Sequence, residues 1–173
     1  MRSWVPVPGT TKARLIDRAL TEFGARGFAA VGVTELARGA DVTIGSLYHH
    51  FGSKVGLYTV VREDVEQRVL DRMEGAAAMS PADLADVLLV GFDYLVRTGF
   101  ARLLAEAHPE RTADPVETFL AALADRDGMP VGRIMIAAWR AALDAAADAA
   151  QDGRSPTPVR AALRELIRYP ITR

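Results

Sequence analysis

Apolar residues recur along this chain at helical spacing almost throughout, and no stretch alternates as a strand would. Leu15, Ile16, Ala19, Leu20 and Phe23 share one face of a first predicted helix. Thr10 or Thr11 can cap it, Gly24 and Gly27 mark its end, and Phe28 turns back into the core. Two very short helices follow, about Val33 to Gly39 and about Ile44 to Phe51. A long helix then begins near Ser53. It carries Leu57, Val60, Val61, Val65, Val69 and Met73 on one side and runs out near Ala76–Met79. Ser80 is a suitable cap for a helix from Pro81 to about Thr98. The second half reads as Phe100 to Ala107, closed by His108-Pro109, and Pro115 to about Ala124, capped by Asp114. The turn Asp127-Gly128-Met129-Pro130 precedes an alanine-rich helix, about Val131 to Gln151. A loop from Gly153 to Pro158 leads to a last helix, which ends near Arg168 before Pro170. The predicted class is all-α, with about nine helices and no repeat.

Three segments follow from this pattern. Residues 1–9, with Pro6, Pro8 and Gly9, read as a flexible arm. Residues 10–58 hold the short helices, and residues 59–173 form a helical body.

Composition narrows the function classes. Of 173 residues, 50% are hydrophobic and 25% charged, as in ordinary globular chains. With no cysteine, disulfides and thiolate chemistry are excluded. The first twenty residues lack a signal-like apolar run, and nowhere do about 18 uncharged apolar residues run together, so a cytoplasmic protein without a membrane span is expected. Net charge is −1, but it is unevenly spread. Residues 1–60 carry seven basic and four acidic side chains, and both lysines, Lys12 and Lys54, lie there. A basic head on an acidic body suits local phosphate contact.

The tightest constraint lies between Gly32 and Lys54. About three residues, Asp41-Val42-Thr43, join the two short helices, which forces a steep crossing of the helix-turn-helix kind. Leu36, Ala37, Ala40, Val42 and Leu47 form a small apolar set to pack the pair. Thr43, Ile44, Gly45, Ser46, His49 and His50 are left facing outward. Thr43 can cap the second helix, whose N-terminus favours a phosphate. Gly45 lets a backbone approach closely, while Ser46 and His49 can bond base edges or phosphates. Ile44 offers only apolar contact, such as to a thymine methyl. Tyr48 and Lys54 can reach the DNA backbone.

The run VTELARGADVTIGSLYHHFGSKVGLY resembles the DNA-binding domain of TetR-family transcriptional regulators. The matching positions are Leu36-Ala37, Ala40, Val42, Thr43, Gly45, Leu47-Tyr48, His50-Phe51, Lys54 and Leu57. With Phe23 and Gly27, the resemblance covers about Thr10 to Tyr58. Three positions depart from it. Gly32 stands where the family usually has a threonine cap, so Thr34 is the substitute phosphate contact. Asp41 replaces a turn glycine, and Ile44 replaces a polar or basic residue opening the reading helix. The resemblance implies phosphate contacts from Tyr48 and His50.

It also implies a homodimeric regulator, most often a repressor, that binds a pseudo-palindromic operator and is released by a small molecule. A DNA-binding protein of the same fold without an effector is the alternative. The expected pocket residues are Phe92, Leu95, Phe100, His108, Phe119, Arg133, Met135 and Trp139, which suit a hydrophobic or aromatic effector. The apolar stripe Val159, Ala162, Leu163, Leu166 and Ile167 is the expected dimer interface. No enzyme activity, cofactor or metal site is expected. Carboxylates such as Glu63-Asp64-Glu66 read as solvated helix face, and adjacent His49 and His50 point apart on a helix.

Overall fold

The computed structural model describes residues 9–79, 84–125 and 128–168. Among these, the elements are α1 (Thr11–Arg26), α2 (Val33–Gly39), α3 (Ile44–Phe51), α4 (Lys54–Met79), α5 (Leu84–Thr98), α6 (Ala101–Ala105), α7 (Pro115–Ala124), α8 (Val131–Gln151) and α9 (Thr157–Arg168). The all-α expectation holds. The N-terminal arm, the Ser80 cap with Pro81, Asp127 of the predicted turn, and the Pro170 stop lie outside the described residues.

Helices α1–α3 form a head on the N-terminal half of α4. Thr10 caps α1, its side chain accepting from the Ala13 N–H at 3.2 Å. Leu15, Ile16, Ala19 and Phe23 point into the core as their spacing predicts. The helix does not stop at Gly24. It continues to Arg26 and ends at Gly27, whose φ of 78° suits glycine. Gly24 serves packing instead, because a Cβ there would lie 2.5 Å from the Gly99 carbonyl oxygen in the turn before α6. The head therefore touches the body through bare backbone.

A second joint is polar. Helix α6 is shorter than predicted, because Glu106 is already extended and its groups are used elsewhere. Its backbone carbonyl accepts from Arg62 Nη1 at 2.8 Å, and its carboxylate accepts from the Phe28 N–H at 2.9 Å. Arg62, on α4, is almost wholly buried. Its Nε donates to Glu66 at 2.8 Å, and its Nη1 also donates to the Tyr58 hydroxyl at 2.9 Å and the Leu103 carbonyl at 2.6 Å. Carbonyls at the end of a short helix lack intrahelical donors, and Arg62 supplies them. Arg111 closes the group, donating to both oxygens of Glu66 at 2.6 and 2.5 Å. Glu63 and Asp64 are exposed as expected, but Glu66 is not a solvated residue. The buried side of α4 is wide enough to take in Arg62 and Glu66 beside Val61, Val65 and Val69.

The body packs α4, α5 and α8 around Met73, Phe92, Leu95 and Trp139, all buried. Trp139 Nε1 donates to the Leu88 carbonyl at 2.9 Å, so the indole's polar atom is satisfied inside the core. Helix α9 packs on α5 and α8, and Arg160 pairs with Asp93 at 2.7 Å.

The Gly24–Gly99 approach predicts that Gly24→Ala overpacks the head–body joint. The obstacle is backbone, so the variant is expected to lose about 1–3 kcal/mol of stability. Urea unfolding checks this, and an unchanged midpoint contradicts it.

Candidate nucleic-acid interface

The turn between α2 and α3 is fixed by backbone hydrogen bonds. Ala40 N–H donates to Leu36, Asp41 N–H to Arg38 and Val42 N–H to Ala37, at 3.0, 3.1 and 3.0 Å. Asp41 takes the left-handed conformation with φ 53°, which a non-glycine residue adopts at some cost. Its carboxylate lies 3.4 Å from Arg14. Beneath the turn, Leu36, Ala37, Ala40 and Leu47 are buried and Val42 packs against them, as their pattern implies.

Thr43 is the N-cap of α3. Its hydroxyl oxygen accepts from the Ser46 N–H at 3.1 Å and also pairs with the Ser46 hydroxyl at 2.9 Å. Gly32 caps α2 through its extended backbone and has no side chain to contribute. Gly52, with φ 72°, ends α3, and the Ser53 hydroxyl accepts from the Gly56 N–H at 2.9 Å to open α4. These caps hold α3 at the surface. Ile44 is 40% exposed and Tyr48 49%, and Thr34, Thr43, Gly45, His49 and His50 are also exposed, with Ser46 half-buried.

Lys54 is turned otherwise than a phosphate contact would need. Its ammonium donates to the Val31 carbonyl at 2.8 Å and sits 4.1 Å from the centre of the Phe28 ring. Burial pushes its pKa down, and Glu106 opposes the shift. Much of the head's other charge is also paired. Arg26 bonds Glu35 and Glu22, and Arg18 bonds Glu22 at 2.7 Å. The Glu35 hydrogen bond raises the Arg26 pKa and lowers that of Glu35. The basic excess read from the sequence is therefore partly spent in joining α1 to α2.

The residues expected to line an effector pocket are dispersed. Phe92, Leu95 and Trp139 are core residues, Phe100 packs near Gly24, and Arg133 is exposed. Phe119 and Met135 are half-buried against the core. A narrow cleft beside Trp139 is lined by Arg62, Glu66, Leu104, Asp114, Val116, Ile136 and Arg140, and is too tight for a water molecule. Of the expected set, Trp139 alone lines it. Its charged residues were not anticipated as a group. The i,i+4 spacing of Arg62 and Glu66, each next to a residue of the apolar face Val61, Val65 and Val69, was the available signal.

His108 sits on the α4 side of the body. Its Nδ1 accepts the N–H groups of Glu110 and Arg111 at 3.1 and 2.9 Å. Its Nε2 lies 2.9 Å from the Thr59 hydroxyl oxygen, and Thr59 donates to the Val55 carbonyl at 2.9 Å. The proton of a neutral His108 therefore belongs on Nε2.

Residues 15–61 match the family model described as "Bacterial regulatory proteins, tetR family". Over those residues the chain is similar to the TetR family of transcriptional regulators. It is 36% identical over 74 residues to the HTH-type transcriptional regulatory protein RaaS of Mycobacterium tuberculosis, a match covering 43% of this chain. That match spans about a third of the relative's length (34%). The fold is shared with a transcriptional regulator from Rhodococcus sp. Rha1, at TM-score 0.61 and 22% identity over 91% of this chain and 94% of that one. It is also shared with the multidrug binding protein EbrR complexed with imidazole, at TM-score 0.52 and 22% identity over 98% and 100%. No helix of the described residues is long and apolar enough to cross a membrane.

His108 gives the site a pH signature. Burial first, then Arg111 and Arg62, hold its pKa below the usual 6.5, while Glu66 and Glu110 oppose them. The folded chain thus binds fewer protons here than the unfolded chain. The stabilisation is fully present above the unfolded value and is lost as pH falls through the folded one. The gap in melting temperature between the native chain and His108→Gln is expected to shrink on acidification from about pH 7.5 to 5.5. A gap that widens contradicts the assignment.

Proposed function

We propose that this regulator is a homodimeric repressor that grips a pseudo-palindromic operator through α3 and releases it when a small hydrophobic or aromatic molecule binds the body. The observation that carries the DNA reading is the capped, surface-standing α3. Its side chains Ile44, Tyr48, His49 and His50 project outward with Gly45 between them. Thr34, Thr43, Tyr48 and His50 are the proposed phosphate contacts, while Ile44, Gly45, Ser46 and His49 face base edges. Lys54 joins the phosphate contacts by leaving Val31.

A two-fold dimer would place two copies of α3 on successive half-sites. The predicted stripe on α9 divides between two duties. Val159, Leu163 and Ile167 pack inward, whereas Ala162 and Leu166 are exposed. Together with exposed Ala137, Ala141 and Ala145 on α8, they supply a small-residue face for close helix contact between subunits.

The imidazole complex of EbrR supports an effector in a body of this fold. Leu104, Val116, Ile136 and Trp139 are the apolar part of the nearest candidate surface. The tightness of the cleft favours the second reading, a DNA-binding regulator of the same fold without an effector. Effector release requires this cleft to open, so a ligand must favour a less closed state by its differential affinity.

A mobility-shift titration of the full chain with DNA flanking its own gene tests the DNA reading. Specific binding at moderate salt is expected, weakening steeply as salt rises. Tyr48→Phe is expected to weaken binding to all sequences by about fivefold, the loss of one hydrogen bond of ~1 kcal/mol. Equal affinity of both proteins for every sequence removes Tyr48 from the contact set, and absence of specific binding contradicts the function.

A further inference from the structure

Gly45 is not required by the chain's own fold. It lies in the first turn of α3, outside the left-handed region. A Cβ added there would meet only the Thr43 hydroxyl oxygen, at 3.7 Å, an ordinary contact. Alanine would fit and would favour the helix, whereas glycine disfavours it. The reason for a glycine is therefore clearance for something outside the chain.

Its neighbours say what kind of surface that is. Ile44, the first residue of α3, is 40% exposed and has no polar side-chain atom. Tyr48 stands one turn further along the same face, as i,i+4 neighbours do. The Ser46 hydroxyl is tied back to Thr43 at 2.9 Å, and Thr43 is itself engaged as the cap. The first turn of α3 thus presents a branched aliphatic side chain beside a bare backbone. In the major groove, adenine, guanine and cytosine edges offer hydrogen-bonding groups, and thymine adds a C5-methyl.

Resting on the DNA-binding reading above, we propose that Ile44 is a specificity-determining residue that packs on a thymine methyl in each half-site. Gly45 provides the clearance that lets α3 come close enough to do so. Half-sites carrying another base at that position are discriminated against by loss of the methyl contact.

The test uses the full chain and double-stranded DNA that it selects from a random-sequence pool. Each thymine is replaced in turn by deoxyuridine, which removes only the methyl, and affinity is read by fluorescence anisotropy. One position per half-site is expected to weaken about fourfold, the equivalent of one buried methyl. Ile44→Ala, a change at an exposed position, is expected to erase that sensitivity while still binding. Gly45→Ala is expected to melt no lower than the native chain yet bind the selected DNA several-fold more weakly. Insensitivity of the native chain to every replacement overturns the methyl contact, as does an unchanged profile in Ile44→Ala. Native affinity in Gly45→Ala overturns the clearance role. If the chain selects no DNA, the regulator reading and this inference fall together. Selection without methyl sensitivity leaves the first standing and removes the second.

Discussion

Arg62 places a full positive charge where almost no water reaches, and the arrangement of α4 against α6 follows from how that charge is compensated. Removing a guanidinium from water is costly unless its donors are met by well-placed acceptors. Here the acceptors are Glu66 one turn along α4, the Tyr58 hydroxyl one turn back, and the carbonyls of Leu103 and Glu106. Two of these acceptors belong to the end of α6, so the short helix and the long one cannot separate without stranding a buried charge. Truncating one partner of such a group is typically worth about 3–5 kcal/mol, more than a surface pair contributes.

The consequences reach the head formed by α1, α2 and α3. Glu106, whose carbonyl is held by Arg62, uses its carboxylate to bind the Phe28 N–H at the end of α1. Phe28 stacks edge-on against Tyr58, and Phe23 completes the aromatic group. Gly24 against Gly99 adds contact at backbone distance. The orientation of α1, and through it of α2 and α3, is thus set by groups that also define α6. Arg111 and His108 extend the same connection into the segment between α6 and α7. A molecule wedged beside Trp139 would press on Arg62 and Glu66, which line that cleft. Head and body share one set of polar contacts, and under the proposed effector reading these would be the route by which the two sites are coupled.

Local signals were legible in the sequence. Thr10, Thr43 and Asp114 act as the caps their residue types suggest, and Asp41 takes the left-handed turn conformation that its place in the motif required. The apolar faces of α1, α3 and α4 point inward as their periodicity indicates. What was not legible depends on partners far along the chain. Gly24 reads as a helix end until Gly99 is brought against it, and Glu66 reads as solvated until Arg111 arrives from 45 residues away. The stripe on α9 looked continuous, but a helix packed on one side must divide it, leaving Ala162 and Leu166 outside. Lys54 could be placed at the start of α4 by pattern, but not aimed, because the Val31 carbonyl and the Phe28 ring compete for its ammonium.

The proposed DNA binding requires α3 to enter the major groove. Dimethyl sulfate interference on DNA bound by the full chain tests it most directly, because the reagent methylates guanine N7 in the major groove and adenine N3 in the minor. Blocked binding at guanine N7 in two clusters, about one helical turn of 10–10.5 base pairs or a multiple of it apart, is the result this structure predicts. Interference confined to adenine N3, or absent from both grooves, would contradict it.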